Sequence, residues 1–407
     1  MRTISGLAML GILVTWIVVA VMLVTSPLRA GAQSHARQAT PAYPAHVSSQ
    51  SQLAHSGRTD ASAPKVGVGR AIASSKTSPA SPNVYAATVS GKLAPSVARF
   101  PERVYVPNSG DGTVSVIDPK TYQVVDQFAV GQIPHHIAPS WDLTRLYVDN
   151  EGSRPLTVID PASGKPTETI PVDYPYNLYF TPDGRKAIVV VERLSRLDFR
   201  DPHIWKLLGS VDIPWAGVDH MDFTADGRYA LASAEWTGVV MKIDTVAMKI
   251  VGFVNVGGLP IDVRLAPDGK VFYVANQGRQ GVSIIDPVSM KEIGFIPTGT
   301  GAHGLYVSRD TKSLYVSNRL NGTISVINFK TRQVTATWNV GGSPDMIQLS
   351  PDGRQLWITG RYNSSVQVVD TRTGALLHTI AVGLNPHGLT FFPNVGRFSL
   401  GHNGVYR

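Results

Sequence analysis

Five of the eight histidines that follow residue 98 occupy two adjacent positions behind a recurring turn, most often of the form Val-Gly-x-x-Pro. The first position reads His135, Tyr176, Asp219, Ile261, His303, Asp345, His387, and the second reads His136, Asn177, His220, Asp262, Gly304, Met346, Gly388. Neutral imidazole nitrogens mixed with carboxylate oxygens form a ligand set that suits Cu, Zn or Mn. His135, His136, His220, His303 and His387 are therefore candidate metal ligands, and a transition-metal ion is the candidate cofactor. A third recurring position reads Glu151, Glu192, Glu235, Gln277, Arg319, Arg361, with Arg193, Trp236 and Tyr362 one residue further on. Acids stand early in this series and arginines late. Arg319 and Arg361, with Glu192, Glu235, Tyr176, Asp219, Asp262 and Asp345, are candidate contacts for a small anionic or glycan-like ligand. A His or Glu in such a setting could also serve as a general base for hydrolysis. Against all three chemistries stands a plainer one, a water-filled channel lined with polar side chains.

The element that must hold these positions is a repeat. Strands ending in Asp or Asn before a turn recur at Asp118, Asp160, Asp201, Asp244, Asp286, Asn328 and Asp370, roughly every 42 residues. A Pro-Asp-Gly-type turn keeps the same beat at Asp142, Asp183, Asp226, Asp268, Asp310 and Asp352, and Tyr-Val-x-Asn strands recur at Tyr105, Tyr147, Tyr273 and Tyr315. This period, with four short strands per unit, is that of a β-propeller blade. Residues 103–130 supply three strands of a blade, and Pro386–Phe391 supplies a lone first strand, so joining them closes a ring of seven and removes free sheet edges. The expected fold is all-β, a seven-bladed propeller closed by its N- and C-terminal strands. The regular acids belong to turns, where Asp accepts a backbone N–H. The third unit departs most, with RLSRLDFRDPHIWKLLG where its third strand should lie, and the tail GRFSLGHNGVYR with His402 has no evident place. His203 and His378 fall off the ring positions, and Trp141, Trp205 and Trp338 read as packing residues.

Ahead of the repeat, Leu7–Val24 is almost wholly apolar and is followed by Ala30-Gly31-Ala32, a small-x-small cleavage form. Cleavage after Ala32 and retention as an anchor both put the remainder outside the cytoplasmic membrane. Residues 33–98 are rich in Ala, Ser and Pro and read as a disordered linker, with the propeller at 99–407. Of the net charge of +8, eight basic residues and one acid lie in residues 1–98. The propeller is thus nearly neutral, which gives no basic stripe for nucleic acid. Membrane contact is expected through the N-terminal segment alone. The chain has no cysteine, which excludes disulfides, thiolate metal sites and a thiol nucleophile. P-loop, G-x-S-x-G, H-E-x-x-H and dinucleotide fingerprints are absent.

The Tyr-Val-x-Asn strands, the Val-Gly-x-x-Pro turns and the Pro-Asp-Gly turns over residues 103–391 resemble the YVTN-type, YncE-like propeller repeats of cell-envelope and surface-layer proteins. The resemblance implies an extracytoplasmic seven-bladed propeller and does not fix an activity. The leading expectation is a binding or scaffold protein that presents its channel mouth to an envelope component or ligand. A metal-binding propeller comes next, by analogy with nitrous-oxide-reductase and haem-d1 propellers, and a lactonase-like hydrolase third.

Overall fold

A computed structural model describes residues 83–407. The apolar segment at 7–24, the cleavage form at 30–32 and the linker up to residue 82 lie outside the described residues. Among the described residues no helix is long and apolar enough to cross a membrane.

Alternating apolar residues every second position build seven four-stranded antiparallel sheets, each in the order of a meander from the channel outward. The expected closure of the ring is met by pairing across the chain. Thr390–Phe392 pairs antiparallel with Arg103–Tyr105 and completes the blade that continues through Thr113–Asp118 and Gln123–Ala129. The unit that departs from the repeat nonetheless forms a full blade. Arg196–Arg200 is its third strand and Leu207–Asp212 its fourth, with a bulge between Phe199 and Arg200.

Blades pack face to face through buried aliphatic and aromatic side chains, such as Leu197, Phe199, Met221 and Phe223 between the third and fourth blades. Trp141 stacks on Phe398, Trp205 meets Tyr147 edge to face and Trp338 lies tilted against Tyr315, all as packing contacts. The described residues include part of the expected linker. Residues 83–98 run in turns against the propeller, with Tyr85 and Val97 buried, because Tyr85 finds a carbonyl at Leu265 for its hydroxyl (3.0 Å). Polar composition concealed these few anchoring residues.

The tail that has no place in the repeat fills the centre. Arg397–Leu400 and Val405–Arg407 form a tight hairpin, joined by Leu400 N–H to Val405 O (2.7 Å) and Arg397 N–H to Arg407 O (2.8 Å). Its turn, Gly401–Gly404, reaches the innermost strands: His402 N–H donates to Leu178 O at 2.9 Å. Gly401, at φ +92°, is required there, since a Cβ would stand 2.2 Å from Leu178 O. Arg407 holds the other end through Asp222 (2.6 Å) and stacks on Tyr85 (4.5 Å). The channel is therefore plugged with protein.

Candidate metal centre

Two adjacent residues of a strand ordinarily face opposite sides of a sheet. In the innermost strands they do not, because the ladder breaks where the two histidine-rich positions fall. Register shifts separate Pro134 from His136, Val218 from Met221, Pro260 from Val263, Ala302 from Leu305 and Pro344 from Ile347. A bulge of this kind re-aims side chains, and here it turns consecutive residues toward the axis. The N–H groups it frees are taken by hydroxyls of the second strand: His220 N–H by Ser233 (3.1 Å), Gly304 N–H by Ser317 (2.8 Å) and Met346 N–H by Thr359 (3.1 Å). The matching position in the second blade is Asp149, fully buried with neither carboxylate oxygen partnered. Burial pushes its carboxyl well above the usual range.

The result is six packed imidazoles. His135 and His387 lie 4.0 Å apart between ring centroids, His136 and His387 4.7 Å, His220 and His402 4.4 Å, and His136 and His402 4.9 Å. All six are buried, His303 being the remaining member. Two groups of three bring one ligand atom from each residue within 4.8 Å of the others: His135, His136 and His387, and His136, His220 and His402. Burial is the main cause that holds His136, His303, His387 and His402 well below the ordinary histidine range, with neighbouring imidazoles adding to it, and with Arg319 or Arg361, or for His402 Arg264, adding further. The rings are thus neutral and able to ligate at neutral pH.

Carboxylates stand beside two of the Nδ1 atoms. His387 Nδ1 lies 2.6 Å from Asp345 Oδ2, and His135 Nδ1 lies 3.0 Å from Glu151 Oε2. Arg361 also reaches His387 Nδ1. A proton on Nδ1 satisfies the carboxylate, and the lone pair is left on Nε2, which for His387 has no partner. Histidine backed by carboxylate is the arrangement that orients metal-ligating imidazoles. Burial raises the Glu151 carboxyl, but the His135 hydrogen bond and Arg193 (3.3 Å) outweigh it and hold the group below its ordinary value.

His303 is placed differently from its fellows. Its Nε2 meets Arg319, its Nδ1 lies 3.1 Å from Asp345 Oδ1, and it belongs to neither group of three. Arg319 donates Nε–H to Asp345 at 2.8 Å, and Arg361 lies 3.6 Å from the same carboxylate. One fully buried aspartate therefore organises two arginines and two histidines. Across the ring stands an acidic arc. Burial, then Asp219, lifts Glu235 to about 8, and burial also lifts Glu192, which accepts a hydrogen bond from Trp236 Nε1 (3.1 Å). Tyr176 packs against His135 at 4.7 Å. Asp262 accepts the backbone N–H of Leu305 (2.8 Å) and pairs with the buried Arg264 (3.2 Å). Glu192, Glu235, Tyr176 and Asp219 thus share one side of the mouth, Arg319, Arg361 and Asp345 the other, and Asp262 lies deeper.

Sequence reasoning missed His402, Asn403 and Asp149. His402 and Asn403 have no counterpart in the repeat, and their contacts cross 225 and 267 residues of sequence. The signal that could have raised them is the HNG turn of the tail, a hairpin form. A cleft of about 750 Å³ lies elsewhere: Trp141, Asp183, His203 and Trp205 line it, and no candidate ligand does. Neither group of three metal-capable side chains falls in it.

A family model for the YncE-like β-propeller matches residues 72–397. The chain belongs to this family. No curated protein matches it. Among solved structures, the YncE-like chain is similar to the dihydro-haem d1 dehydrogenase NirN in complex with DHE, at 16% identity and TM-score 0.57 over 75% of this chain and 80% of that one. It is similar also to hydrazine synthase of Kuenenia stuttgartiensis, at 19% identity and TM-score 0.54 over 62% of this chain and 87% of that one. A protein of unknown function from Desulfotomaculum acetoxidans matches at 16% identity and TM-score 0.62, over 71% and 98% of the two chains. Likeness at this level of identity concerns the fold.

Proposed function

We propose that this propeller is an extracytoplasmic, exported or membrane-tethered protein that binds a transition-metal ion at the base of its channel mouth. The observation that carries the reading is the group His135, His136 and His387, whose ligand atoms lie within 4.8 Å of one another in a buried setting. Glu151 and Asp345 stand beside the Nδ1 atoms of His135 and His387, and a proton held on Nδ1 would leave Nε2 for an ion. Three neutral nitrogens suit Cu or Zn. The bound ion would supply charge in a water-poor site, while the protein's residues hold it, set the tautomers and limit access from the mouth.

The alternative of an anionic ligand held by Arg319 and Arg361 has less support, because both guanidiniums are engaged by Asp345. A docking role for the mouth face draws on a different observation. Leu194, Trp236, Leu320, Tyr362 and Leu384 are large, exposed and carried by the loops that ring the mouth. An envelope component seated on that rim would cover the metal centre.

The test is elemental analysis of the full chain purified without added metal. The reading expects a transition metal retained after dialysis, with the content falling in His135→Ala/His387→Ala. Equal content in the double variant, or no metal in the native chain, overturns it.

A further inference from the structure

The blades alone do not complete the deeper group of histidines. His136 comes from the second blade and His220 from the fourth, and His402 arrives on the turn of the hairpin that plugs the channel. We propose that these three residues form a second metal position, so that the tail segment is a working part of the metal centre. This rests on the reading that the upper group, His135, His136 and His387, binds an ion.

Three observations support it. All three side chains are fully buried, their ligand atoms lie within 4.8 Å, and the Nε2 of each makes no hydrogen bond. Each Nδ1 has an acceptor within reach that can take a proton and leave the lone pair on Nε2. For His402 and His220 it is the Asn177 amide: its nitrogen lies 2.9 Å from His402 Nδ1 and 3.1 Å from His220 Nδ1, and a half-turn puts the oxygen there instead. For His136 it is the Asn403 amide at 3.0 Å, once a half-turn exchanges its nitrogen for its oxygen. Finally, carboxylates stand beside the group: Asp219 Oδ1 is 2.9 Å from His220 Nε2, and Asp262 Oδ1 is 3.6 Å from His402 Nε2. They offer oxygen ligands and the negative charge that a buried cation needs.

The rival is a purely hydrogen-bonded core, with His220 and His402 donating Nε2–H to those aspartates. The first contact is off the line a ring N–H requires and the second is too long, which is why His220 Nε2, Asp219 Oδ1 and His402 Nε2 are left unsatisfied. His136 has one Nε2 for two groups. With both positions filled, the upper ion keeps His135 and His387, and the deeper ion keeps His136, His220 and His402. Nitrogen ligands with flanking carboxylates make the deeper position the one better suited to Zn.

The experiment starts from the full-length His135→Ala/His387→Ala chain, which removes the upper position. It is saturated separately with Zn²⁺ and Cu²⁺, desalted and analysed for metal per chain, with circular dichroism to verify the fold. About one ion should remain, and adding His402→Gln should remove it. A double variant that binds nothing, while the native chain binds metal, overturns this inference and leaves the proposed function standing. A double variant with undiminished metal does the reverse. If the triple variant fails to fold, the single variant His402→Gln loaded with Co²⁺ decides by its visible absorption. A spectrum altered from the native chain's supports ligation by His402, and an unchanged spectrum contradicts it.

Discussion

The same carboxyl group serves two opposite purposes in this molecule. At the turns between third and fourth strands, Asp118, Asp160, Asp201, Asp244, Asp286, Asn328 and Asp370 each accept a backbone N–H at 2.8–3.0 Å. Backbone and side-chain hydrogen bonds hold Asp160, Asp201, Asp286 and Asp370 below the ordinary carboxylate value. At the channel, burial pushes Asp149, Asp262, Glu192 and Glu235 the other way. The repeated acids stabilise their charge locally, blade by blade. The unrepeated ones sit in a shared, desolvated centre, where their charge matters to groups from several blades. Regularity marks a structural acid, and departure from it marks a candidate for chemistry.

The sharpest way to break this contrast is Asp345→Asn. It leaves Arg319 and Arg361 buried beside a neutral amide, which should cost about 3–5 kcal/mol in denaturant unfolding. It also withdraws the Nδ1 acceptor of His387, so metal affinity should fall by roughly 10–100-fold. A variant with native stability and affinity would mean that Asp345 organises nothing.

Glu235→Gln tests the raised acids with a smaller effect. Glu235 titrates near 8 when folded and at 4.5 when unfolded. Between these values the folded state keeps a proton that the unfolded state has lost, so stability falls as pH rises through the window. The variant lacks this slope. It should match the native chain near pH 4.5 and become the more stable of the two as pH rises toward 8, by at most about 1.4 kcal/mol per pH unit. Parallel pH dependences in the two chains would contradict the assignment. The smallest change is expected for Asp286→Ala, one Asx turn of seven. It should lower Tm by roughly 1–3 °C and leave metal content untouched.

How much of this was legible in the sequence follows the same division. The period of the turn acids specified seven blades, and the stray strand at Pro386–Phe391 specified how the ring closes, because each mark is local and repeated. The histidine-rich positions were legible for the same reason: they share a slot in the repeat. What the repeat could not reveal was the bulge that points both residues inward, since it depends on hydroxyls such as Ser233 and Thr359 one strand away. Nor could it reveal the hairpin, whose residues have no counterparts in the blades and whose partners are distant in the chain. The channel is plugged because the glycines of the tail let its backbone pass within contact of the innermost strands.

The central claim is that the histidines are gathered to hold metal and not merely to fill the channel. Metal per chain, measured on the native protein and on His135→Ala/His387→Ala, tests it most directly. The account predicts a transition metal that survives dialysis in the first and is diminished in the second. A native chain free of metal and unable to acquire Zn²⁺ or Cu²⁺ would contradict it.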